Sequence, residues 1–222
     1  MAQPAEAPFV YLFPSEVRET AAGGRSLAWP KGEDPFHPSR ALPLTGAPHV
    51  IQVRSGAFTP DECARIVAIG EALPAQAGGV EKGDSTYRVS RISWIVPAPD
   101  THWLFHRLAL LFHEANARYG FDLAGFVDAL QYTVYGPGEH FGWHMDLGPD
   151  RTAARKLSMS VQLTAGSDYS GGALEFVGMA GGGARAPGDA IIFPAYMAHR
   201  VTPIEAGIRR SLVAWACGPS FR

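Results

Sequence analysis

The sequence LQYTVYGPGEHFGWHMD occupies residues 130–146 and begins with the alternation of a β-strand. Leu130, Tyr132 and Val134 fall on one side of this strand and the intervening residues on the other, because successive strand side chains point to opposite faces. After the Gly-Pro-Gly turn, a second extended segment carries His144 and Asp146. This stretch therefore predicts two connected strands that present two side chains of metal-binding type.

The period of two continues through the rest of the C-terminal half. Between residues 157 and 163, apolar side chains alternate with Ser158, Ser160 and Gln162. Further short strands, separated in the C-terminal half by Gly-rich turns, are predicted at residues 49–53, 87–96, 173–177, 190–193 and 211–216. Many short strands of this kind are typical of a sandwich or barrel.

Two helices are predicted before the strand-rich region. Thr59-Pro60-Asp61-Glu62 combines an N-cap threonine, a proline at the first helical position and the glutamate of a capping box, so a helix runs from here to about Leu73. A second helix, with Asp100 as its cap, ends at Gly120 and has apolar residues at 104, 108, 111 and 115 on one face. The sequence thus predicts an α+β fold with the helices packed on one side of the strands.

Composition and charge exclude several classes of protein. The 222 residues include 25 Gly and 18 Pro, which indicates many turns, and a formal net charge of -2 argues against a basic face for nucleic acid. Two cysteines, Cys63 and Cys217, are too few for a disulfide scaffold. No apolar run is long enough for a membrane helix, and the N-terminus lacks a secretory signal pattern. These features predict a cytoplasmic protein with no membrane or nucleic-acid partner.

The first 47 residues differ from the remainder in composition. Prolines and glycines recur there without a helical or strand period, and a few aromatic residues are interspersed. We interpret residues 1–47 as a Pro-rich N-terminal arm that is extended on the domain or partly disordered. Residues 48–222 are then a single domain.

The candidate chemistry lies in the spacing of three residues. His144 and Asp146 are two apart, so in an extended segment both side chains point to the same face and can bind one metal ion. His199 is the candidate third ligand. Two histidines and one carboxylate occupy one face of an octahedron and leave open positions, as in non-haem Fe(II) oxygenases, whereas a structural zinc site uses four protein ligands.

Two consecutive arginines follow the third candidate ligand. On a strand, Arg209 shares a face with Ser211, Val213 and Trp215, and Arg210 points the opposite way, so only one of the two guanidinium groups can face a given cavity. Such a group binds a carboxylate in a bidentate fashion and would hold the far end of a dicarboxylate cosubstrate.

Residues 130–216 resemble the Fe(II)/2-oxoglutarate-dependent dioxygenase superfamily, in particular its prolyl 4-hydroxylase-like branch and the bacterial PKHD-type hydroxylases. The blocks that carry this resemblance occur in one order: Tyr135-x-x-Gly138-x-x-Phe141-x-x-His144-x-Asp146, Arg155-x-Leu157-Ser158, Tyr169-x-Gly171-Gly172-x-Leu174, residues 188–194, His199-Arg200-Val201 and Gly207-x-Arg209-x-Ser211. Position 141 carries Phe where the family often has Tyr.

The resemblance implies a double-stranded β-helix, or jelly roll, with N-terminal helices packed on one side. It assigns His144, Asp146 and His199 as the metal triad and catalytic residues. It assigns Arg209 to the far carboxylate of 2-oxoglutarate, with Tyr135 and Ser158 as further residues of that pocket. The implied cofactors are Fe(II), 2-oxoglutarate as cosubstrate and O₂, with ascorbate as a candidate accessory reductant.

The expected reaction is hydroxylation of an unactivated C–H bond. The branch resemblance favours a prolyl or other residue of a peptide or protein as substrate, and a free amino acid or small metabolite is the alternative. Two other classes stay open at this point: a non-catalytic metal-binding jelly roll, and a cupin-like metalloenzyme that does not use 2-oxoglutarate.

Overall fold

A computed structural model of the protein describes residues 16–19, 25–28, 51–78, 87–179 and 186–220. The chain divides into two compact units, residues 1–46 and residues 47–222. In the first unit, strands β1 (Glu16–Glu19) and β2 (Arg25–Ala28) pair antiparallel. The rest of the predicted arm lies outside the described residues.

The second unit contains two helices and thirteen strands among its described residues. In chain order they are β3 (Gln52–Arg54), α1 (Pro60–Ala72), β4 (Gln76–Ala77), β5 (Arg88–Val89), β6 (Arg91–Ile95), α2 (His102–Tyr119), β7 (Leu130–Tyr135), β8 (His140–His144), β9 (Arg155–Gln162), β10 (Tyr169–Gly171), β11 (Leu174–Phe176), β12 (Ala190–Pro194), β13 (His199–Val201), β14 (Ile204–Gly207) and β15 (Arg209–Cys217). A short 3₁₀ helix, Asp150–Ala154, precedes β9.

The strands form two main antiparallel sheets. The large sheet has the order β3-β12-β9-β15-β7-β6-β4, and the small sheet has the order β11-β13-β8-β5. A further pair, β10 and β14, stands apart from both. The α+β prediction is confirmed, and the arrangement is that of a double-stranded β-helix.

The helices pack against one face of the large sheet, as predicted. Leu130, Tyr132 and Val134 of β7 belong to one buried cluster with the apolar faces of α1 and α2. The polar residues that alternate with them lie on the opposite face of the sheet. Neither described helix combines the length and the apolar character that a bilayer-spanning helix requires.

Local signals fix the helix ends. The Thr59 hydroxyl accepts a hydrogen bond from the Glu62 N–H, and the Glu62 carboxylate accepts one from the Thr59 N–H, which completes the predicted capping box. Gly120 ends α2 in the left-handed conformation. The cap predicted at Asp100 is wrong: the N-cap is Thr101, whose hydroxyl is held by the preceding turn at Ala98.

Helix α1 lies unusually close to the large sheet at Gly70. A Cβ atom at this position would stand 2.3 Å from the Tyr132 ring, so only glycine permits the approach. The Tyr132 hydroxyl donates a hydrogen bond to Glu71, whose carboxylate also pairs with Arg210 of β15 at 3.0 Å. These contacts join the helix to two neighbouring strands.

Two leucines of α2 provide a matched test of this packing. Leu108 is fully buried and Leu110 is 49% exposed. We expect Leu108→Ala to lower the free energy of unfolding by about 2–5 kcal/mol, because it leaves a cavity between helix and sheet. We expect Leu110→Ala to change it by less than about 0.5 kcal/mol. Denaturant titration measures both values, and equal effects would contradict the packing described.

Candidate metal centre

Strand pairing in the small sheet brings the predicted ligands together. His144 at the end of β8 lies directly opposite His199 at the start of β13. Directly opposed residues of an antiparallel pair project to the same face. Asp146 follows β8 by two residues, and its N–H donates to the carbonyl of Ala195, the residue that directly follows β12.

The three side chains offer one ligand atom each within a small volume. The ligand atoms of His144, Asp146 and His199 all lie within 4.8 Å of one another. One carboxylate oxygen of Asp146 is 3.8 Å from Nε2 of His144, and the other is 3.6 Å from Nε2 of His199. Two imidazole nitrogens and one carboxylate oxygen form a donor set that suits Fe(II) and leaves coordination positions open.

Backbone carbonyls select the ring nitrogen that faces the metal position. Nδ1 of His144 lies 2.8 Å from the Gly142 carbonyl oxygen, and Nδ1 of His199 lies 2.9 Å from the Met197 carbonyl oxygen. Because a carbonyl oxygen only accepts, each Nδ1 carries the proton and donates. Each Nε2 is then left with a lone pair for a metal ion.

The surroundings favour the protonation states that metal binding needs. Burial, reinforced by His199, lowers the pKa of His144 to about 4, so the ring is neutral near pH 7. Burial alone would raise the pKa of Asp146, but the two histidines and a hydrogen bond from Ser158 hold it below its usual value. The carboxylate is therefore charged and the imidazole uncharged.

Ser158 lies next to the metal ligands. Its hydroxyl donates to Asp146 Oδ2 at 2.6 Å, and its side chain is fully buried. The family resemblance implies that Ser158 belongs to the cosubstrate pocket, whereas in the structure its hydroxyl donates to the carboxylate ligand. Ser160, two residues further along β9, lines the cavity instead.

Aromatic rings pack around both histidines. Phe141 stacks on His144 with ring centroids 3.5 Å apart, and Phe193 meets His199 edge to face at 4.7 Å. The family motif position occupied by Phe141 thus serves here as a packing surface for a ligand. These contacts restrict the rotation of both imidazoles.

A cavity of roughly 790 Å³ adjoins this cluster, and residues of both sheets line it. On the large sheet, Arg209 lies directly opposite Tyr135 in the β15–β7 register, and its guanidinium carbon is 5.8 Å from the tyrosine ring. Arg209 is 4% exposed, and none of the ion pairs found among the described residues involves it. A buried guanidinium without a carboxylate partner is a ready anion site.

The two consecutive arginines point in opposite directions, as the alternation predicts. Arg209 shares the cavity wall with Ser211, Val213 and Trp215. Arg210 lies on the helix side, where it pairs with Glu71. Of the two consecutive arginines, Arg209 is therefore the one that lines the cavity.

Arg88 is a cavity residue that sequence analysis missed. The segment 87–96 was interpreted as one strand, but it is interrupted at Ser90, so that β5 belongs to the small sheet and β6 to the large one. Arg88 consequently lines the cavity and is 9% exposed. The sequence pattern places Arg88 and Ser90 on the same face of a strand. Alternation alone, however, does not show which sheet that strand joins.

A second group of charges and two indole rings also line the cavity. Arg155 lies over the Trp215 ring at 3.8 Å and pairs with Asp128 at 2.9 Å. Trp94 lies 6.5 Å from Trp215, measured between ring centroids. This part of the cavity wall thus combines indole rings with an arginine that already has its carboxylate.

Ser158 and Ser160 allow a test of the metal centre. Ser158→Ala removes the hydroxyl that orients Asp146, and we expect the affinity for Fe(II) or Co(II) to fall about 10- to 100-fold. Ser160→Ala, on the same face of β9, should leave the affinity within about twofold of the original. Equilibrium dialysis of each metal-free protein measures this, and equal affinities for the two variants would argue against the role of Ser158.

Comparisons with known proteins identify the same region. The model of the 2OG-Fe(II) oxygenase superfamily matches residues 130–217. A PKHD-type hydroxylase of Synechococcus sp. (strain CC9902) is 38% identical over 80 residues, which cover 35% of this chain and 36% of the relative. A PKHD-type hydroxylase of Sphingopyxis alaskensis is 37% identical over 84 residues, which cover 35% of this chain and 38% of the relative. The chain thus spans little more than a third of these relatives' lengths.

Solved structures share the fold over a larger part of the chain. A Pseudomonas putida prolyl-4-hydroxylase aligns with a TM-score of 0.61 at 24% identity, covering 77% of this chain and 94% of that one. A prolyl hydroxylase from Trichoplax adhaerens, in complex with a hypoxia inducible factor peptide fragment, aligns with a TM-score of 0.63 at 16% identity. The alignment covers 75% of this chain and 83% of that one. At these identities the likeness concerns the fold. The region that matches the model of the 2OG-Fe(II) oxygenase superfamily, residues 130–217, contains all three members of the His-Asp-His cluster.

Proposed function

We propose that this protein is an Fe(II)- and 2-oxoglutarate-dependent dioxygenase that hydroxylates an unactivated C–H bond. One observation carries the proposal: the His-Asp-His cluster opens onto the same cavity as Arg209, a buried arginine with no carboxylate partner among the described residues. A metal-binding module without catalysis has no need of that arginine. A cupin-like enzyme that does not use 2-oxoglutarate has no need of it either.

His144, Asp146 and His199 would hold the metal in this proposal. When bound, Fe(II) with 2-oxoglutarate and O₂ supplies the oxidising power for hydroxylation, with succinate and CO₂ as coproducts. Nδ1 of each histidine donates to a backbone carbonyl, which leaves Nε2 as the nitrogen that faces the metal, and the pKa of the aspartate is held low, so that the carboxylate is charged.

Arg209 and Tyr135 would orient the cosubstrate. Their side chains lie side by side on the large sheet, deep in the cavity, so a dicarboxylate that reaches the metal with one end meets the guanidinium with the other. Burial raises the pKa of Tyr135, which keeps its hydroxyl protonated as a hydrogen-bond donor. Leu174, Phe193 and Val201 add apolar surface to the wall of the same cavity.

The proposed substrate is a prolyl or other residue of a peptide or protein. This is supported by the printed names of similar proteins, which include prolyl hydroxylases and one complex with a peptide fragment. Trp94 and Trp215 are part of the cavity wall and offer apolar surface to a substrate side chain. Hydroxylation of a free amino acid or small metabolite is the second candidate, and the buried charge at Arg88 favours it.

The first test is succinate formation from 2-oxoglutarate with Fe(II), ascorbate and O₂. We expect the protein to form succinate slowly even without a substrate, and His144→Ala and Asp146→Ala to abolish this turnover because each removes a metal ligand. His140→Ala is the matched control, since His140 lies on the same strand and outside the ligand cluster. Unchanged succinate formation in both ligand variants would contradict the proposed function.

The adjacent arginines provide a second test. We expect Arg209→Met to raise the dissociation constant for 2-oxoglutarate about 10- to 100-fold, because a charge-assisted bidentate pair is lost. Arg210→Met removes the same charge one residue away, on the helix side, and should leave this constant unchanged. Calorimetric titration of the metal-loaded protein compares the two variants, and an equal loss in both would count against the assignment.

A further inference from the structure

Arg88 is a second buried arginine in the cavity; it belongs to the small sheet and Arg209 to the large one, and both interact with Tyr135. It lies on the edge strand of the small sheet, in register with Phe141 of β8. Its guanidinium carbon stands 4.5 Å from the Phe141 ring centroid, and Nε donates to the Ser90 hydroxyl at 3.2 Å. One terminal nitrogen, Nη2, is buried and has no hydrogen-bond partner.

The position of Arg88 is built into the local structure. A Cβ atom at Gly78 would lie 2.9 Å from Arg88 Nε and 2.2 Å from Ser90 Oγ, so glycine leaves the space that this pair occupies. Phe141, on which the guanidinium rests, stacks in turn on His144. The Arg88 guanidinium, the Phe141 ring and the His144 imidazole thus contact one another in sequence, and these contacts hold Arg88 beside the metal centre.

A buried donor without a partner carries a free-energy cost, and for a charged group the cost is larger. None of the salt bridges found within the described ranges involves Arg88. Burial lowers the pKa of Arg88 from its usual value, with Tyr135 and Asp146 acting in the opposite direction, and an arginine remains charged at neutral pH. Such a charge is expected to have an anionic partner when the site is occupied.

The cosubstrate leaves this charge uncompensated. Three further charged residues line the cavity: Arg155 and Asp128 pair with each other, and Arg151 is largely exposed. The remaining charged residues of the lining, Arg88, Arg209 and Asp146, together carry one positive charge. A divalent metal ion raises this to three, and the two carboxylates of 2-oxoglutarate lower it to one. Since one of those carboxylates is used at the metal and the other at Arg209, the remaining positive charge lies at Arg88.

We propose that Arg88 binds a carboxylate of the substrate, so that the protein hydroxylates a carboxylate-bearing compound. This inference rests on the proposed function, because the charge count assumes a metal ion and 2-oxoglutarate. The carboxylate belongs either to a free acid of amino-acid size or to the C-terminus of a peptide. An internal residue of a protein has no carboxylate of its own unless its side chain is acidic.

The test measures binding without turnover. The protein is loaded with Zn(II), which a His₂-carboxylate site also binds, and with saturating 2-oxoglutarate. Two sets of probes are titrated by calorimetry: N-acetyl amino acids covering the twenty side chains, each against its primary amide, and short peptides with a free or an amidated C-terminus. We expect at least one carboxylate to bind about 10- to 100-fold more tightly than its own amide.

The wild-type result is decisive by itself. A carboxylate preference in the first set identifies a free acid, and one confined to the second set identifies a peptide terminus; both support the proposal. The absence of any carboxylate preference overturns it, whether both members of each pair bind or neither does.

Variants then locate the effect. Arg88→Gln and Arg88→Met should abolish the carboxylate preference, and Arg88→Lys should retain part of it. Arg151→Gln is the matched control, because Arg151 also lines the cavity but its side chain is 72% exposed. Loss of the preference in Arg151→Gln and not in the Arg88 variants would overturn the assignment.

The affinity for 2-oxoglutarate separates this inference from the proposed function. If the wild-type protein binds no 2-oxoglutarate, the proposed function itself fails. If the wild-type protein does bind 2-oxoglutarate, and the Arg88 variants lower the affinity for 2-oxoglutarate tenfold or more, then Arg88 is a cosubstrate residue. In that case only the present inference fails. Unchanged 2-oxoglutarate affinity with a lost carboxylate preference supports both.

Discussion

His144 and His199 face each other across two antiparallel strands, and the rest of the site is arranged around this pairing. The register of β8 against β13 decides that both imidazoles reach the same side of the small sheet. A shift of one residue would turn one ring outwards and separate the ligands. The backbone contacts of Asp146 and Leu147 with the Ala195 carbonyl hold that register just beyond the strand end, where the carboxylate joins the histidines.

Much of this arrangement could be predicted from the sequence because it depends on the strand period. Alternation correctly separates the core face of β7 from its cavity face, and it separates Arg209 from Arg210. It also places His144 and Asp146 on one face. The capping box of α1 and the glycine that ends α2 are equally local, and both appear at the expected residues.

The features that could not be predicted depend on which strands become neighbours. The interruption at Ser90 places Arg88 and Val89 in the small sheet and residues 91–95 in the large sheet, although the sequence around Ser90 has the pattern of one strand. The family resemblance implies a role for Ser158 in the cosubstrate pocket, but strand β9 brings its hydroxyl to Asp146. Both outcomes depend on contacts between segments more than ten residues apart, which local periodicity does not describe.

The adjacent arginines of β15 have a consequence for how this strand finds its place during folding. If the strand slipped by one residue, Arg210 would enter the cavity and Arg209 would face Glu71, so each charge would still meet a suitable environment. The slip would, however, turn Leu212, Ala214 and Ala216 away from the helices that cover them. The correct alignment of the central strand is therefore enforced by its apolar residues, and its two charges contribute almost nothing to that choice.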